Sequence, residues 1–217
     1  MIYVVGGIKG GSGKTTVATN LAVALSVEGK DVLLVDADEQ ETATDFSAWR
    51  NERKEGQTGY TSIQLTGQAA RQELQRLAQK FEDVVVDTGG RDTTSQRAAL
   101  TVADLYLVPF NPRSFDVWTL EKVTRLIQEI QTVNPRLKSY AFINRADPRG
   151  SDNQDAAEAL SDTEVLEFLD APLGNRKAYS NAAAQGLGVL ELHPEDSKAV
   201  VEFRNLLAKI KAAGEGR

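Results

Sequence analysis

Residues 9–16 read Lys9-Gly10-Gly11-Ser12-Gly13-Lys14-Thr15-Thr16. Glycines, a lysine and hydroxyls crowded together suit one task, the holding of phosphate. Glycines let backbone N–H groups turn inward, and a helix that opens at such a loop presents its positive end to an anion. Lys14 would reach the β- and γ-phosphates, and the Thr15 hydroxyl would ligate Mg²⁺. The ordinary motif G-x-x-x-x-G-K-[ST] is met at Gly13, Lys14 and Thr15, but Ile8 stands where its first glycine belongs. The sequence thus predicts a loop of a deviant kind that binds ATP or ADP with Mg²⁺.

Carboxylates fall where such a loop needs them. Asp87 ends the apolar run Val84-Val85-Val86, the place of a Walker B carboxylate that holds magnesium. Asp36 and Asp38 end the run before it in the chain, and strand C-termini are where ligands sit in open α/β sheets. N-caps and turns are the structural alternative for these aspartates. His193 is the only histidine, stands before Pro194 and is expected in a surface turn.

The elements that must position these groups alternate in type. Residues 2–8, Asp31–Asp36, Val84–Asp87, Leu105–Val108 and Tyr140–Ile143 read as strands. Their continuous apolar character suits burial on both faces of a parallel sheet. Helical spacing is expected over 15–28, with Gly29 as its stop, and over 41–55, 68–80, 92–102, 114–132, 152–170, 176–185 and 195–212. Less regular structure is expected at 54–62, 88–96 and 145–153. The fold class is therefore α/β, a doubly wound, mostly parallel sheet flanked by helices. Residues 1–211 form one expected domain and 212–217 a frayed tail. About 41% of the 217 residues are hydrophobic, enough for one core. No cysteine is present, which excludes disulfides and thiolate-bound metals from this chain. The start shows no signal-peptide pattern, and no apolar run is long enough to span a membrane. Cytoplasmic location is expected. The net charge of −6 means that any nucleic-acid contact must be a local patch.

Lys9–Thr16 resembles the deviant Walker A motif of the ParA/MinD superfamily of ATPases. The resemblance continues in order. Leu33–Gln40 looks like the Walker A′ segment, Val84–Thr88 like Walker B, and Val108–Pro112 like the segment after the next strand. Phe142-Ile-Asn-Arg145 is similar to the adenine-side motif. Residues 176–191, with Arg176, Tyr179, Ala184-Gln-Gly186 and Glu191, resemble the C-terminal signature. Two positions depart from the pattern: Glu39 replaces a common proline, and Gly89-Gly90 replaces prolines in the switch region. The resemblance implies a homodimer that sandwiches ATP, with Lys9 reaching the partner's phosphates. It implies that Asp38 positions the attacking water, that Asp36 supports the magnesium shell, and that Asn144, with Arg145 beside it, reads adenine. Arg176 and Tyr179 would flank the base or the dimer interface.

Within the superfamily the expected branch is a short ParA-type ATPase. Such a protein binds nonspecific DNA as its ATP dimer, associates with the nucleoid, and hydrolyses ATP slowly until a small DNA-binding centromere protein of ParB or ParG kind stimulates it. Its task would be plasmid or chromosome partition, or positioning of another cargo. Lys198, Arg204, Lys209 and Lys211 are the candidate phosphate contacts. The alternative is a MinD-like membrane-cycling ATPase for division-site placement. It would use the stripe Phe203, Leu206, Leu207 and Ile210, but such a stripe more often packs on a sheet, so no stable membrane association is expected. Reductases and metal pumps of the superfamily need thiolates that this chain lacks.

Overall fold

The computed structural model describes residues 1–114, 117–147, 151–193 and 197–215. In chain order the strands are β1 (Ile2–Val5), β2 (Val32–Asp36), β3 (Thr61–Gln64), β4 (Asp83–Asp87), β5 (Leu105–Phe110), β6 (Lys138–Ala146), β7 (Glu167–Phe168) and β8 (Leu173–Gly174). The helices are α1 (Lys14–Val27), α2 (Thr42–Arg53), α3 (Ala70–Leu77), α4 (Thr94–Leu100), α5 (Val117–Gln131), α6 (Asp152–Ser161), α7 (Lys177–Ala183) and α8 (Lys198–Glu215).

Seven strands form one sheet in the order β3-β2-β4-β1-β5-β6-β7, and β8 pairs with the end of β6. The pairings are parallel. The chain starts at the centre and winds outward to both sides, so β1 flanks the point where the strand order reverses. In open α/β sheets the ligand crevice lies there, at the strand C-termini. β1, β2, β4 and β5 are buried along their whole length. That explains their unbroken apolar runs.

Side-chain alternation splits each strand between two cores. Tyr3, Val5, Leu34, Val85, Leu107 and Phe142 face α1 and α8. Val4, Leu33, Val35, Val86, Tyr106 and Val108 face α4, α5 and α6. The sheet is thus covered on both faces, as expected.

Several boundaries differ from the sequence reading. The expected helix over 152–170 stops at Ser161. The Thr163 hydroxyl lies within hydrogen-bond reach of the Leu160 and Leu166 carbonyls, and that local contact competes with another helical turn. Residues beyond it enter β7 instead. β3 falls partly in a stretch expected to be irregular; it is a polar edge strand with no apolar run to signal it. Gly29 has φ of +86°, fitting the expected stop of α1. α8 continues through Ala212–Glu215, past the expected fraying point, and a Cβ on Gly214 would stand 2.7 Å from the Met1 side chain. Residues 216–217, like 148–150 of the expected irregular stretch, lie outside the described residues.

The stripe Phe203, Leu206, Leu207 and Ile210 packs in the sheet core, at most 6% exposed. Burial of each such side chain is worth about 2 kcal/mol. Among the described residues, no helix is long and apolar enough to cross a membrane.

Candidate functional site

The glycine-rich loop joins the C-terminal end of β1 to the first turn of α1 at the centre of the sheet. Gly11 and Gly13 take φ of +77° and +89°, a region that L side chains seldom adopt. α1 opens with no side-chain cap and no acidic residue in its first turn, so its positive end faces the loop without a competing anion. Gly10 and Gly11 are exposed, Lys9 is half-buried and Ser12 is buried.

Gly13 is held against the sheet by Asn144. The Asn144 side-chain amide donates to the Ser12 carbonyl at 2.7 Å, and a Cβ on Gly13 would fall 2.2 Å from the same nitrogen. The Asn144 Oδ1 accepts from the backbone N–H of Arg145 at 3.0 Å, and Arg145 has φ of +59°. The strained residue thereby fixes which way the amide points. Both ends of Asn144 are therefore engaged within the protein, and its side chain also borders the cleft beside the loop.

Lys14 is 6% exposed and donates its ammonium to the Lys9 carbonyl at 2.9 Å. Burial lowers its pKa, while Asp87 and Asp38 act in the opposite direction. A cation is thus held in a low-dielectric place, facing two carboxylates.

Asp87 is fully buried, and neither carboxylate oxygen has a hydrogen-bond partner. Burial pushes its carboxyl up to about 7; the adjacent Thr15 hydroxyl pulls it down, and Asp36 on the neighbouring strand pushes it up. Asp36 and Asp87 stand at one register position of β2 and β4. Asp36 has a different task from Asp87. Its Oδ2 accepts from the Thr44 N–H at 2.8 Å and the Thr44 hydroxyl at 2.9 Å, and its Oδ1 accepts from the Asp38 N–H at 3.1 Å. It ties the 38–44 loop to the sheet, which is the turn role left open for it.

These donors bear on the implied magnesium. Among the described residues, no cluster of three or more acidic, His or Cys side chains could hold a metal. Mg²⁺ needs none, because it is commonly held by one or two carboxylates together with substrate phosphates and waters. Orphaned, buried oxygens on Asp87 beside the Thr15 hydroxyl fit that donor set. Asp36, committed to Thr44 and the Asp38 backbone, fits it less well.

Asp38 is half-buried, and its Oδ1 accepts from the Gln40 N–H at 3.2 Å. The Gly89-Gly90 departure finds its physical reason here. A Cβ on Gly89 would stand 3.0 Å from Asp38 Oδ1, and one on Gly90 would stand 2.8 Å from the Gly10 Cα. The pair lets the segment after Asp87 lie directly on Asp38 and on the phosphate loop.

Beside the loop opens a cleft of about 620 Å³, lined in part by Thr15, Thr16, Asn144, Arg145, Arg176 and Tyr179. Arg176, on the wall of this cleft, also pairs with Glu202 on α8 at 2.5 Å. The structure does not gather the four basic residues of α8 into one open patch. Lys209 donates to the Asp170 carbonyl at 2.8 Å, and Lys211 pairs with Glu28. Lys198 and Arg204 are exposed, as is His193.

Residues that the sequence reading passed over hold the site together. Arg50 of α2, 2% exposed, forms a double contact with Glu191 at 2.6 and 3.0 Å and donates to the Gly186 and Thr58 carbonyls. Asn20 accepts from the Val189 N–H at 2.6 Å. Arg50 stands in a charged helix, so only its later position relative to Glu191 could have marked it.

Comparison with known proteins places this geometry in a family. The model of the CobQ/CobB/MinD/ParA nucleotide-binding domain matches residues 3–189. The chain is 28% identical over 208 residues to the Maintenance of carboxysome distribution protein A of Halothiobacillus neapolitanus, covering 95% of this chain and 94% of the relative. It is 30% identical over 205 residues to the protein of the same name from Gloeobacter kilaueensis, covering 93% and 90%. A variant of McdA from Cyanothece, solved as an ATP complex, superposes with a TM-score of 0.76 at 17% identity, over 98% of this chain and 95% of that one. With a match spanning the phosphate loop, both acidic strand ends and the Asn144 strand, the chain belongs to the CobQ/CobB/MinD/ParA nucleotide-binding family.

Proposed function

We propose that the chain is a ParA-type ATPase: it binds ATP with Mg²⁺, dimerises around the nucleotide, binds nonspecific DNA and positions a cargo. The observation that carries this reading is Lys14, buried beside the Lys9 carbonyl and facing both Asp87 and Asp38. A buried cation between a glycine loop and two carboxylates is suited to phosphate exchange at a charged, water-poor centre.

The residues divide the work. Loop N–H groups and the start of α1 hold the phosphate oxygens. Lys14 neutralises charge on the β- and γ-phosphates. Thr15 and Asp87 would hold Mg²⁺, which when bound draws negative charge from the phosphates. Asp38 accepts a hydrogen bond from the attacking water and orients it. Lys9 enters the partner subunit's site and stabilises charge there, as cations supplied in trans do. Asn144 holds the loop in shape, while the base occupies the cleft between Thr16, Arg176 and Tyr179.

Hydrolysis is slow until a partner acts. The partner is a small DNA-binding protein of ParB or ParG kind, or the adaptor of another cargo. The two relatives described above are named for carboxysome distribution, which favours a positioning role over one restricted to plasmids. Lys198, exposed at the start of α8, is the residue of that helix best placed to meet DNA phosphates, and the protein would reside in the cytoplasm on the nucleoid. The burial of the α8 stripe weighs against a MinD-like membrane cycle driven by that helix.

The test is a binding comparison with ATP–Mg²⁺, ADP–Mg²⁺ and no nucleotide, on nonspecific duplex DNA and on anionic liposomes. ATP-dependent DNA binding that falls steeply with salt supports the reading. Retention on liposomes alone would replace it with the membrane-cycling one.

A further inference from the structure

Beneath the phosphate loop lies a buried polar cluster that the phosphate chemistry leaves unused. Gln96, the third residue of α4, is fully buried. Its Oε1 accepts from the Gly7 N–H at 3.1 Å and from the Thr88 hydroxyl at 2.8 Å. Gly7 lies at the entry of the loop, and Thr88 follows Asp87 directly. A single amide oxygen thus joins the phosphate loop, the strand end bearing Asp87, and α4.

The junction is tight. A Cβ on Gly6 would fall 2.8 Å from Gln96 Oε1, 2.7 Å from Thr88 Oγ1 and 2.8 Å from the Tyr106 ring. Yet it is only half satisfied. The Gln96 Nε2 and the Tyr106 hydroxyl are buried without a hydrogen-bond partner. An unmade hydrogen bond on a buried donor is costly, and an apolar side chain of the same size would avoid the cost. The Nε2 donor is thus a hydrogen bond that the present placement of α4 leaves unmade. α4 also borders exposed residues, Arg91, Asp92 and Thr94, so its placement alters the surface.

We propose that Gln96 is a positioning residue that couples the phosphate loop to α4, so that the surface around α4 changes with the nucleotide in the loop. The inference rests on the nucleotide-binding reading above. Coupling of this kind requires an element with two arrangements, both biased by the site.

Amide hydrogen exchange over residues 94–100 of the full chain tests it, with ADP–Mg²⁺ and with AMPPNP–Mg²⁺, after calorimetry has shown each nucleotide bound. Exchange in the unmodified chain should differ about tenfold between the two, within the usual range of coupling between sites. Gln96→Met keeps the volume but neither polar group; it should bring the difference below about twofold while ADP affinity stays within about threefold. Should Gln96→Met not fold, Thr88→Val removes one donor to the same oxygen and should shrink the difference. A difference that persists in these variants overturns the proposal. So does equal exchange in the unmodified chain with both nucleotides bound. Failure of nucleotides to bind at all overturns the phosphate-loop reading and this one with it, and calorimetry tells that case apart.

Discussion

The Asn144 side-chain amide donates to the carbonyl of Ser12, 132 residues earlier in the chain, at 2.7 Å. This bond makes the end of β6 a wall of the phosphate loop. The strained Arg145 N–H occupies the other end of the amide, so the bond has one orientation available. The loop is thus shaped before any phosphate arrives, which lowers the cost of binding.

Asn144→Ala should leave the Ser12 carbonyl buried without its donor. That loss is worth about 1–3 kcal/mol. Calorimetry should show ADP affinity weakened by about tenfold, the equivalent of about 1.4 kcal/mol. Asn144→Asp should do worse, because a carboxylate cannot donate to the carbonyl. Unchanged affinity in both variants would return Asn144 to a role at the base.

Lys14→Ala should abolish measurable nucleotide binding, a loss of at least about 100-fold, since a buried charge contact is removed outright. The same variant leaves Asp87 and Asp38 without the cation on which both act. Fluorescent-nucleotide titration that gives normal affinity would refute the site.

Lys9→Ala and Asp38→Ala should instead separate binding from turnover. The Lys9 backbone carbonyl accepts from the Lys14 ammonium, and alanine retains that contact. ATP affinity should stay within about threefold, while partner-stimulated hydrolysis falls about 1,000-fold, the lower range for a cation supplied in trans. Lys9→Ala should also weaken ATP-dependent dimerisation, as read by light scattering. Normal hydrolysis by Lys9→Ala would remove the trans role.

Much of this site was legible in the sequence because it sits on motifs whose spacing is their geometry. Lys14, Thr15 and Asp87 needed only a strand before the loop and a helix after it. The sheet was legible because its central strands are buried on both faces and therefore apolar throughout. What was hidden depends on partners far away in the chain. Asp36 and Asp38 look alike as strand-end acids, and only the folded chain shows that Asp36 takes Thr44 as its partner. Lys209 and Lys211 look like free helix charges until Asp170 and Glu28 come beside them. β3 and β7 are short edge strands whose polar residues carry no period, and the helix over 152–170 was overextended because a single threonine ends it.

Arg50→Ala should be among the most destabilising changes outside the phosphate loop. It strips Glu191 of its double contact and frees the Gly186 and Thr58 carbonyls. Breaking a buried pair from one side costs about 3–5 kcal/mol. Arg50→Met combined with Glu191→Gln should recover part of that loss, because no buried charge is then left unpaired; Lys54, which also meets Glu191, reaches solvent. Urea unfolding measures both. Equal loss in the single and double variants would mean that packing, not charge, carries the effect.

Asp87 makes the metal-free protein sensitive to pH in a definite direction. Burial raises its carboxyl from the ordinary 3.8 to about 7. Between those values the folded protein holds a proton that the unfolded chain has released. Stability from this group is therefore complete below about pH 4 and is lost as pH rises to 7. Asp87→Asn removes the titration. In EDTA, the variant should melt above the parent at pH 8, and its advantage should shrink toward pH 5. With ATP and Mg²⁺ the order should reverse, because the parent gains a bound cation that the variant cannot hold, and ligand bound only to the folded state adds stability. Melting curves that run parallel from pH 5 to 8 in EDTA would show that the buried carboxylate is compensated in some other way.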